Sequence, residues 1–250
     1  MDEIHVIGGK CLKGNITVQG SKNTVLPVMA ASLLQKGICV LRNCPRISDV
    51  FYMEEILRRL GAETYWKNHD LYLDCSRADG TEISAEYTGK MRCSVIMLGA
   101  LLGRQRRGVI GYPGGCVIGK RPIDLHLYAL RSFGAEISEN SEKIEATCRK
   151  LKGAEICFRK ISVGATEQAL LAAVLAEGET QIRNCAREPE IIWLCRFLKE
   201  MGAKIRGEGE ECICVQGVQS LHGIQVEIPA DRIVTGTYLC AAAATRGKIT

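Results

Sequence analysis

Apolar residues at helical spacing alternate along this chain with short apolar runs bounded by turn residues. Met53, Ile56 and Leu60 recur on one face of a predicted helix, which is expected to end at Gly61. Short strands are predicted before this helix, at 38–41, and after it, at 63–65 and 70–73. A more apolar helix is predicted upstream, at about 24–35. The pattern therefore predicts an ordered unit of helix, strand, helix, strand and strand.

The same succession of elements is predicted three times. The other apolar helices are expected at about 93–102 and 166–176, and the other amphipathic helices begin behind Pro122 and the Glu188-Pro189-Glu190 segment. Each amphipathic helix ends at a glycine, here Gly134 and Gly202. The remaining strands are predicted at 136–138, 143–146, 180–183, 204–206 and 212–216.

An internal sequence repeat supports this division. Residues 36–63 align with residues 177–204, and the alignment places Arg42-Asn43-Cys44 on Arg183-Asn184-Cys185. Residues 231–250 then repeat the opening of a unit and stop inside the strand that should follow. Because repeated units of this size stack on one another, the sequence predicts an α/β domain with approximate threefold internal symmetry. It also predicts an unfinished fourth unit, and hence a piece of a longer protein.

Composition narrows the functional classes. The 250 residues include 46% hydrophobic residues, enough for a core, and the net charge of +5 is modest. Four Phe and two Trp give little scope for base stacking, so no nucleic acid is expected as a partner. No apolar run is long enough to cross a bilayer, so no membrane is expected either. The sequence defines no oligomeric state.

Cysteine and histidine usage indicates a reducing compartment and no metal. The 13 cysteines are odd in number, lie in apolar segments and include no CxxC pair, while the four histidines lie far apart. We therefore expect free thiols, a cytoplasmic protein, no metal and no cofactor.

The candidate chemistry centres on residues 113–126, PGGCVIGKRPIDLH. Glycines surround Cys116, and Arg121 precedes a predicted helix start at Pro122. A helix N-terminus attracts anions, and a nearby arginine lowers the pKa of a thiol, so a reactive cysteine and an anion could meet here. An ordinary glycine turn with a buried cysteine is the simpler alternative.

Three further segments precede the three apolar helices. They are Ser21-Lys22-Asn23, Arg92 in KMRCS, and the segment from Lys160 to Thr166 with Ser162, Val163 and Gly164. Ser-x-Asn is also a common helix cap, and Arg92 alone would be an ordinary surface arginine. Threefold symmetry, however, would gather the three segments at one end of the domain as a basic, amide-rich rim.

The strings GSKN, LRNCPRISDV, MRCS, PGGCVIGKRPIDLH, KISVGATE, REPEI and ADRIVTGTYL occur in this order along the chain. They resemble the UDP-N-acetylglucosamine 1-carboxyvinyltransferase family of enolpyruvyl transferases. This resemblance implies an inverse α/β barrel fold, with two such domains in a complete protein. It assigns residues 21–229 to one complete three-unit domain, and residues 1–20 and 230–250 to a second, incomplete one.

The resemblance also implies a reaction and its residues. Family members transfer the enolpyruvyl group of phosphoenolpyruvate to the 3-hydroxyl of UDP-N-acetylglucosamine, in peptidoglycan synthesis. Lys22, Arg92 and Arg121 are then expected to hold phosphoenolpyruvate. Cys116, the residue alkylated by fosfomycin in the family, is expected to act as the general acid that protonates the methylene carbon, or at least to assist product release. Substrate-binding roles are implied for Asn23, Arg121, Pro122, Ile123, Asp124, Leu125, Lys160, Ser162, Val163 and Gly164.

Two rival interpretations remain. The shikimate-pathway enolpyruvyl transferase shares the fold and the donor but lacks this cysteine loop. A non-catalytic remnant of the family that binds or senses a UDP-sugar is the other. We expect the 250-residue chain to be inactive or nearly so by itself, because family members carry further catalytic residues in the second domain.

Overall fold

The computed structural model describes residues 3–114 and 122–250. Its helices are α1 (Lys22–Ser32), α2 (Ser48–Arg59), α3 (Ala85–Thr88), α4 (Met97–Gln105, preceded by a 3₁₀ helix at Arg92–Ile96), α5 (Asp124–Ser132), α6 (Val163–Ala173), α7 (Pro189–Glu200) and α8 (Arg232–Ala244). Its strands are β1 (Lys13–Gly14), β2 (Ile38–Arg42), β3 (Glu63–Lys67), β4 (Asp70–Asp74), β5 (Glu82–Ile83), β6 (Arg107–Gly111), β7 (Glu136–Glu139), β8 (Lys143–Thr147), β9 (Glu155–Cys157), β10 (Glu179–Arg183), β11 (Lys204–Arg206), β12 (Cys212–Gln216), β13 (Gln225–Glu227) and β14 (Lys248–Ile249).

The strands form three similar four-stranded sheets, in the orders β13-β2-β4-β3, β5-β6-β8-β7 and β11-β12-β10-β9. In each sheet the three strands of one unit are antiparallel neighbours. The fourth strand follows the preceding unit and pairs in parallel: β5 with β6, β9 with β10, and β13 with β2. The last pairing joins the third unit back to the first. The three predicted units are therefore confirmed, and the short parallel strands that join them into a closed ring were not predicted.

The core surrounds the three inner helices, α1, α4 and α6. In α6 every residue from Ala165 to Ala173 is buried, and α4 is buried from Met97 to Gly103. Small residues let these helices pack closely: a Cβ added at Gly99 would lie 2.7 Å from the carbonyl oxygen of Gln168 on α6. The outer helices α2, α5 and α7 bury only one face each, as their amphipathic patterns predicted.

The repeated Arg-Asn-Cys segment has a structural reason. Asn43 and Asn184 adopt positive φ angles of 53° and 51°, which asparagine tolerates better than most residues. Each side-chain amide donates a hydrogen bond to the neighbouring parallel segment, at 3.0 Å to the Ile228 carbonyl and 2.7 Å to the Phe158 carbonyl. The repeat therefore preserves the turn that ties each unit to the chain beside it.

Helix starts differ slightly from the sequence predictions. α1 and α6 begin two to three residues earlier than predicted, because Ser21 and Ser162 are their N-caps. The inner helix of the second unit begins as a 3₁₀ helix and becomes α-helical only at Met97. All three predicted glycine stops are confirmed, with φ angles of 97°, 85° and 106° at Gly61, Gly134 and Gly202.

The two ends of the described chain lie together. β1 pairs in parallel with β14, and Gly20 forms an isolated bridge with Ala230. None of the described residues of α8 is buried, and Ile233 and Leu239 are 53% and 66% exposed. This apolar helix is the one with which the predicted fourth unit begins.

All twelve cysteines among the described residues are free thiols. In the same part of the chain, no group of three metal-ligating side chains comes together. The helices of residues 3–114 and 122–250 are all too short or too polar to cross a membrane.

Candidate active site

The N-terminal ends of the three inner helices meet at one cavity of about 550 Å³. α1 contributes Lys22 and Asn23, the 3₁₀ helix contributes Arg92, and α6 contributes Val163 and Gly164. Helix N-termini direct unpaired backbone N–H groups and the positive ends of their dipoles toward the space in front of them. The shared cavity is therefore suited to an anionic ligand.

The start of α1 is fixed by two oxygen acceptors. Ser21 Oγ accepts a hydrogen bond from the Thr24 backbone N–H at 3.3 Å, and Asp231 Oδ2 accepts one from the Lys22 N–H at 3.1 Å. The Lys22 ammonium lies 3.5 Å from Asp49 at the start of α2. Pro27 has no N–H to donate to the Asn23 carbonyl one turn earlier, so that carbonyl makes no α-helical hydrogen bond with it. Lys22 and Asn23 both line the cavity.

The start of α6 is built in the same way. Ser162 Oγ accepts a hydrogen bond from the Ala165 N–H at 3.4 Å. A Cβ added at Gly164 would lie 2.7 Å from His126 Nε2, so only glycine fits beside this ring. The His126 imidazole from α5 is 8% exposed and is therefore held against the first turn of α6.

Arg92 links the second unit to the segment after the cysteine loop. Its guanidinium donates a hydrogen bond to the Pro122 carbonyl at 3.2 Å. This contact holds Pro122 at the edge of the cavity, directly after residues 115–121. The start of the second inner helix and the end of the loop segment therefore share one site.

Acidic side chains also line the cavity. Glu167 on α6 is 6% exposed and Glu190 on α7 is 3% exposed. Arg232 at the start of α8 makes two hydrogen bonds with Glu190, at 2.8 and 3.2 Å. Glu190 is therefore neutralised by an ion pair, whereas the Glu167 carboxyl forms no hydrogen bond or ion pair with any described residue.

Burial keeps two cavity groups uncharged near neutral pH. Desolvation, with a further effect from Glu190 and Glu188, raises the pKa of Glu167 to about 8. Desolvation, followed by repulsion from Arg92, lowers the pKa of His126 to about 4. Burial also raises the pKa of the Cys93 thiol, which lines the same cavity. A protonated Glu167 adds no negative charge that would repel an anion.

The cavity brings together seven of the predicted site residues: Lys22, Asn23, Arg92, Pro122, Ser162, Val163 and Gly164. Four others do not line it. Ile123 and Leu125 pack on the core, Asp124 forms an ion pair with Arg159, and Lys160 is exposed. The Asp124–Arg159 hydrogen bond lowers the pKa of Asp124. The remaining two, Cys116 and Arg121, lie outside the described residues.

Several cavity residues were not predicted. The expected rim was basic, but Asp49, Glu167, Glu188 and Glu190 make its charge mixed. The sequence could have indicated Glu167. A glutamate inside the apolar run VGATEQALLAA is expected to be buried, and glutamate is rarely buried without a structural or functional reason. His126 and Arg232 were present in the quoted motifs but received no role. Their roles depend on contacts between distant segments, which spacing alone does not specify.

The fold is that of the enolpyruvyl transferases. The solved structure of the enolpyruvyl transferase NikO from Streptomyces tendae matches with a TM-score of 0.83 at 24% identity, over 94% of this chain and 56% of that one. EPSP synthase from Acinetobacter baumannii matches with a TM-score of 0.71 at 23% identity, over 94% of this chain and 54% of that one. These likenesses establish the fold.

The family assignment rests on sequence. The model of the EPSP synthase (3-phosphoshikimate 1-carboxyvinyltransferase) family matches residues 6–250, and the chain belongs to this family. It is 46% identical over 250 residues to UDP-N-acetylglucosamine 1-carboxyvinyltransferase 2 of Caldanaerobacter subterraneus subsp. tengcongensis. It is 47% identical over 249 residues to UDP-N-acetylglucosamine 1-carboxyvinyltransferase 1 of Carboxydothermus hydrogenoformans. The chain spans 60% and 59% of the lengths of these two relatives.

Proposed function

We propose that this chain supplies the UDP-N-acetylglucosamine-binding domain of an enolpyruvyl transferase that acts in peptidoglycan synthesis. The observation that carries the proposal is the 46–47% identity to two proteins of that name over essentially the whole chain. The cavity supports it, because Lys22, Arg92 and the start of α6 surround one space suited to anions. Residues 21–229 form the proposed domain, and residues 1–20 and 230–250 belong to a second one.

In the proposed reaction, the oxygen of the sugar 3-hydroxyl bonds to C2 of phosphoenolpyruvate, its proton passes to a base expected in the second domain, and the methylene carbon takes a proton from the chain. The tetrahedral product then loses phosphate, and loss of a proton from the new methyl group restores the double bond. Cys116 is the proposed proton donor to the methylene carbon. Lys22, Arg92 and Arg121 hold the carboxylate and phosphate, for which lysine and arginine are suited donors.

The nucleotide half of the substrate is proposed to lie along α6 and the start of α5. Ser162, Val163 and Gly164 lie at a helix N-terminus, a position that favours diphosphate oxygens. Lys160 and residues 122–125 complete this subsite, and Asn23 contacts the amino sugar. Because Ile123 and Leu125 pack on the core, the backbone of this segment is the part expected to face the nucleotide.

Calorimetric titration distinguishes this proposed function from that of the shikimate-pathway enolpyruvyl transferase. We expect the chain to bind UDP-N-acetylglucosamine and to show no comparable affinity for shikimate 3-phosphate. Ser162→Asp retains a good helix cap while adding a negative charge at the cavity, and should weaken nucleotide binding about tenfold. Ser138→Asp on the exposed strand β7 is the matched control and should bind normally.

Tighter binding of shikimate 3-phosphate, or equal binding by Ser162→Asp and wild type, would contradict the assignment.

A phosphate-release assay tests the division into domains. With both substrates present, we expect far slower turnover than a full-length relative shows. Turnover at the rate of that relative would refute the proposed dependence on a second domain. Nucleotide binding by a complete protein without turnover would favour the sensing alternative.

A further inference from the structure

A second cavity lies at the opposite end of the inner helices. Its volume is about 670 Å³, within the range typical of small-molecule sites. Lys36 follows α1, Arg106 follows α4, and Glu177 follows α6; Gly217 and Ser220 close the cavity from the loop after β12. This cavity shares no lining residue with the candidate active site, and the proposed function leaves it without a role.

Four basic side chains and one acidic side chain line this cavity among the described residues. Arg104 has a structural role. Its guanidinium donates hydrogen bonds to the carbonyls of Leu33, Gln35, Cys75 and Ala78. Among the described residues, the Arg106 guanidinium donates hydrogen bonds only from Nη1, to the Leu102 and Gly103 carbonyls. Lys36 forms no ion pair with a described residue. These contacts cap carbonyls at the ends of α1 and α4 and leave the Lys36 ammonium available to a ligand.

Lys150 extends the basic surface beyond this cavity. It lies 2.8 Å from Glu177, the only acidic residue that lines the cavity among the described residues. Lys150 also lines an adjoining cavity of about 850 Å³ together with Arg149 and Lys152. The backbone of Lys152 bridges that of Glu177, which fixes this rim. Basic side chains from three segments thus surround one concave surface.

A buried acceptor gives the cavity a second chemical requirement. Gln35 lines it and is 1% exposed. The Gln35 side-chain nitrogen donates hydrogen bonds to the carbonyls of Ser32 and Gly37, at 3.2 and 3.0 Å, which fixes the orientation of the amide. Gln35 Oε1 has no donor among the described residues. A buried acceptor without a donor is destabilising, so a shift of the Gln35 side chain that brings Oε1 to a ligand hydroxyl would be favoured.

We propose that this second cavity binds a small molecule that carries both phosphate and hydroxyl groups, such as a phosphorylated sugar. Lys36, Arg106 and Lys150 bind the phosphate, and Gln35 Oε1 accepts a hydrogen bond from a hydroxyl. This site is separate from the proposed active site and goes beyond the proposed function. If the basic residues served only to cap helices, the chain would show no affinity for such a ligand.

The test uses glucose 6-phosphate and methyl phosphate as matched monoesters, titrated into the 250-residue chain. Every protein in this titration also carries Lys22→Gln, which removes a cation from the first cavity. Lys36→Gln with Lys150→Gln should weaken glucose 6-phosphate binding about tenfold, because two charged contacts are lost. Both side chains are exposed, so the fold should be retained, and the charge-conserving change of both lysines to arginine should restore binding.

Lys67→Gln with Lys143→Gln is the control, since these exposed lysines line neither cavity and the change in net charge is the same. The proposal is overturned if glucose 6-phosphate does not bind, or if the two double variants weaken it equally. Equal affinity for methyl phosphate would overturn the role of Gln35. Failure of the proposed function would instead appear as loss of UDP-N-acetylglucosamine binding, which this titration does not measure.

Discussion

Helices α6 and α8 begin alike and are surrounded differently. Each has a polar N-cap at the edge of the candidate active site, Ser162 for α6 and Asp231 for α8, followed by an apolar sequence. In α6 every residue from Ala165 to Ala173 is buried among α1, α4 and α5. Among the described residues of α8, none is buried.

The comparison shows that an apolar helical pattern predicts a helix but not what covers it. α8 is attached mainly through its first turn, where Asp231 caps the helix and also accepts a hydrogen bond from Lys22. Arg232 adds the ion pair with Glu190. The start of α8 is therefore part of the wall of the candidate active site, while the rest of the helix presents an apolar surface.

Truncating one leucine in each helix should give the largest difference. Leu170→Ala on α6 removes a fully buried side chain and should lower the free energy of unfolding by about 3 kcal/mol. Leu239→Ala on α8, at 66% exposure, should change it by less than about 0.5 kcal/mol. Urea denaturation of both variants checks this. Similar losses in the two variants would show that α8 is packed in solution.

Removing Arg232 should have an intermediate effect. Arg232→Ala leaves the buried Glu190 carboxylate without its ion-pair partner, so we expect a loss of about 2 kcal/mol, less than for a fully buried pair because Arg232 is half exposed. Arg206→Ala is the matched control, since its ion pair with Glu179 is exposed and should contribute little. If thermal unfolding shows the same loss for both variants, the first turn of α8 is not anchored as described.

The pH dependence of Glu167 should give the smallest effect. Its pKa is raised to about 8 in the folded chain, so between pH 6.5 and pH 8 the unfolded chain has lost this proton while the folded chain retains it. Stability therefore falls as pH rises through this range, and Glu167→Gln should remove a decline of about 1–2 kcal/mol. The measurement is the free energy of unfolding of both proteins at several pH values. Parallel curves would mean that Glu167 is ionised in the folded chain.

Most of the fold could be predicted because its signals are local. Helical periodicity, the glycine stops and the repeated Arg-Asn-Cys segment each lie within a few residues of the element they specify. The parallel strands β5, β9 and β13 were missed because they are two or three residues long and exist only through pairing with distant strands. Closure of the ring by β13 on β2 is likewise a long-range contact.

The site was predicted less completely than the fold. Threefold symmetry correctly placed Lys22, Arg92 and Gly164 at one end of the domain, because repeated helices start at equivalent places. Symmetry could not indicate that α7 would bring Glu190 to the same cavity, or that α8 would supply Arg232. Burial then determines the protonation of Glu167 and His126, and burial depends on the assembled fold.

The central claim is that the N-terminal ends of the inner helices bind the nucleotide sugar. Backbone amide NMR during titration with UDP-N-acetylglucosamine tests it most directly. We expect the amides of Asn23, Cys93 and Gly164 to shift at lower ligand concentration, and by more, than those of Gly178 and Gly217 at the opposite cavity. Shifts confined to Gly178 and Gly217, or no shift at Gly164, would contradict the account.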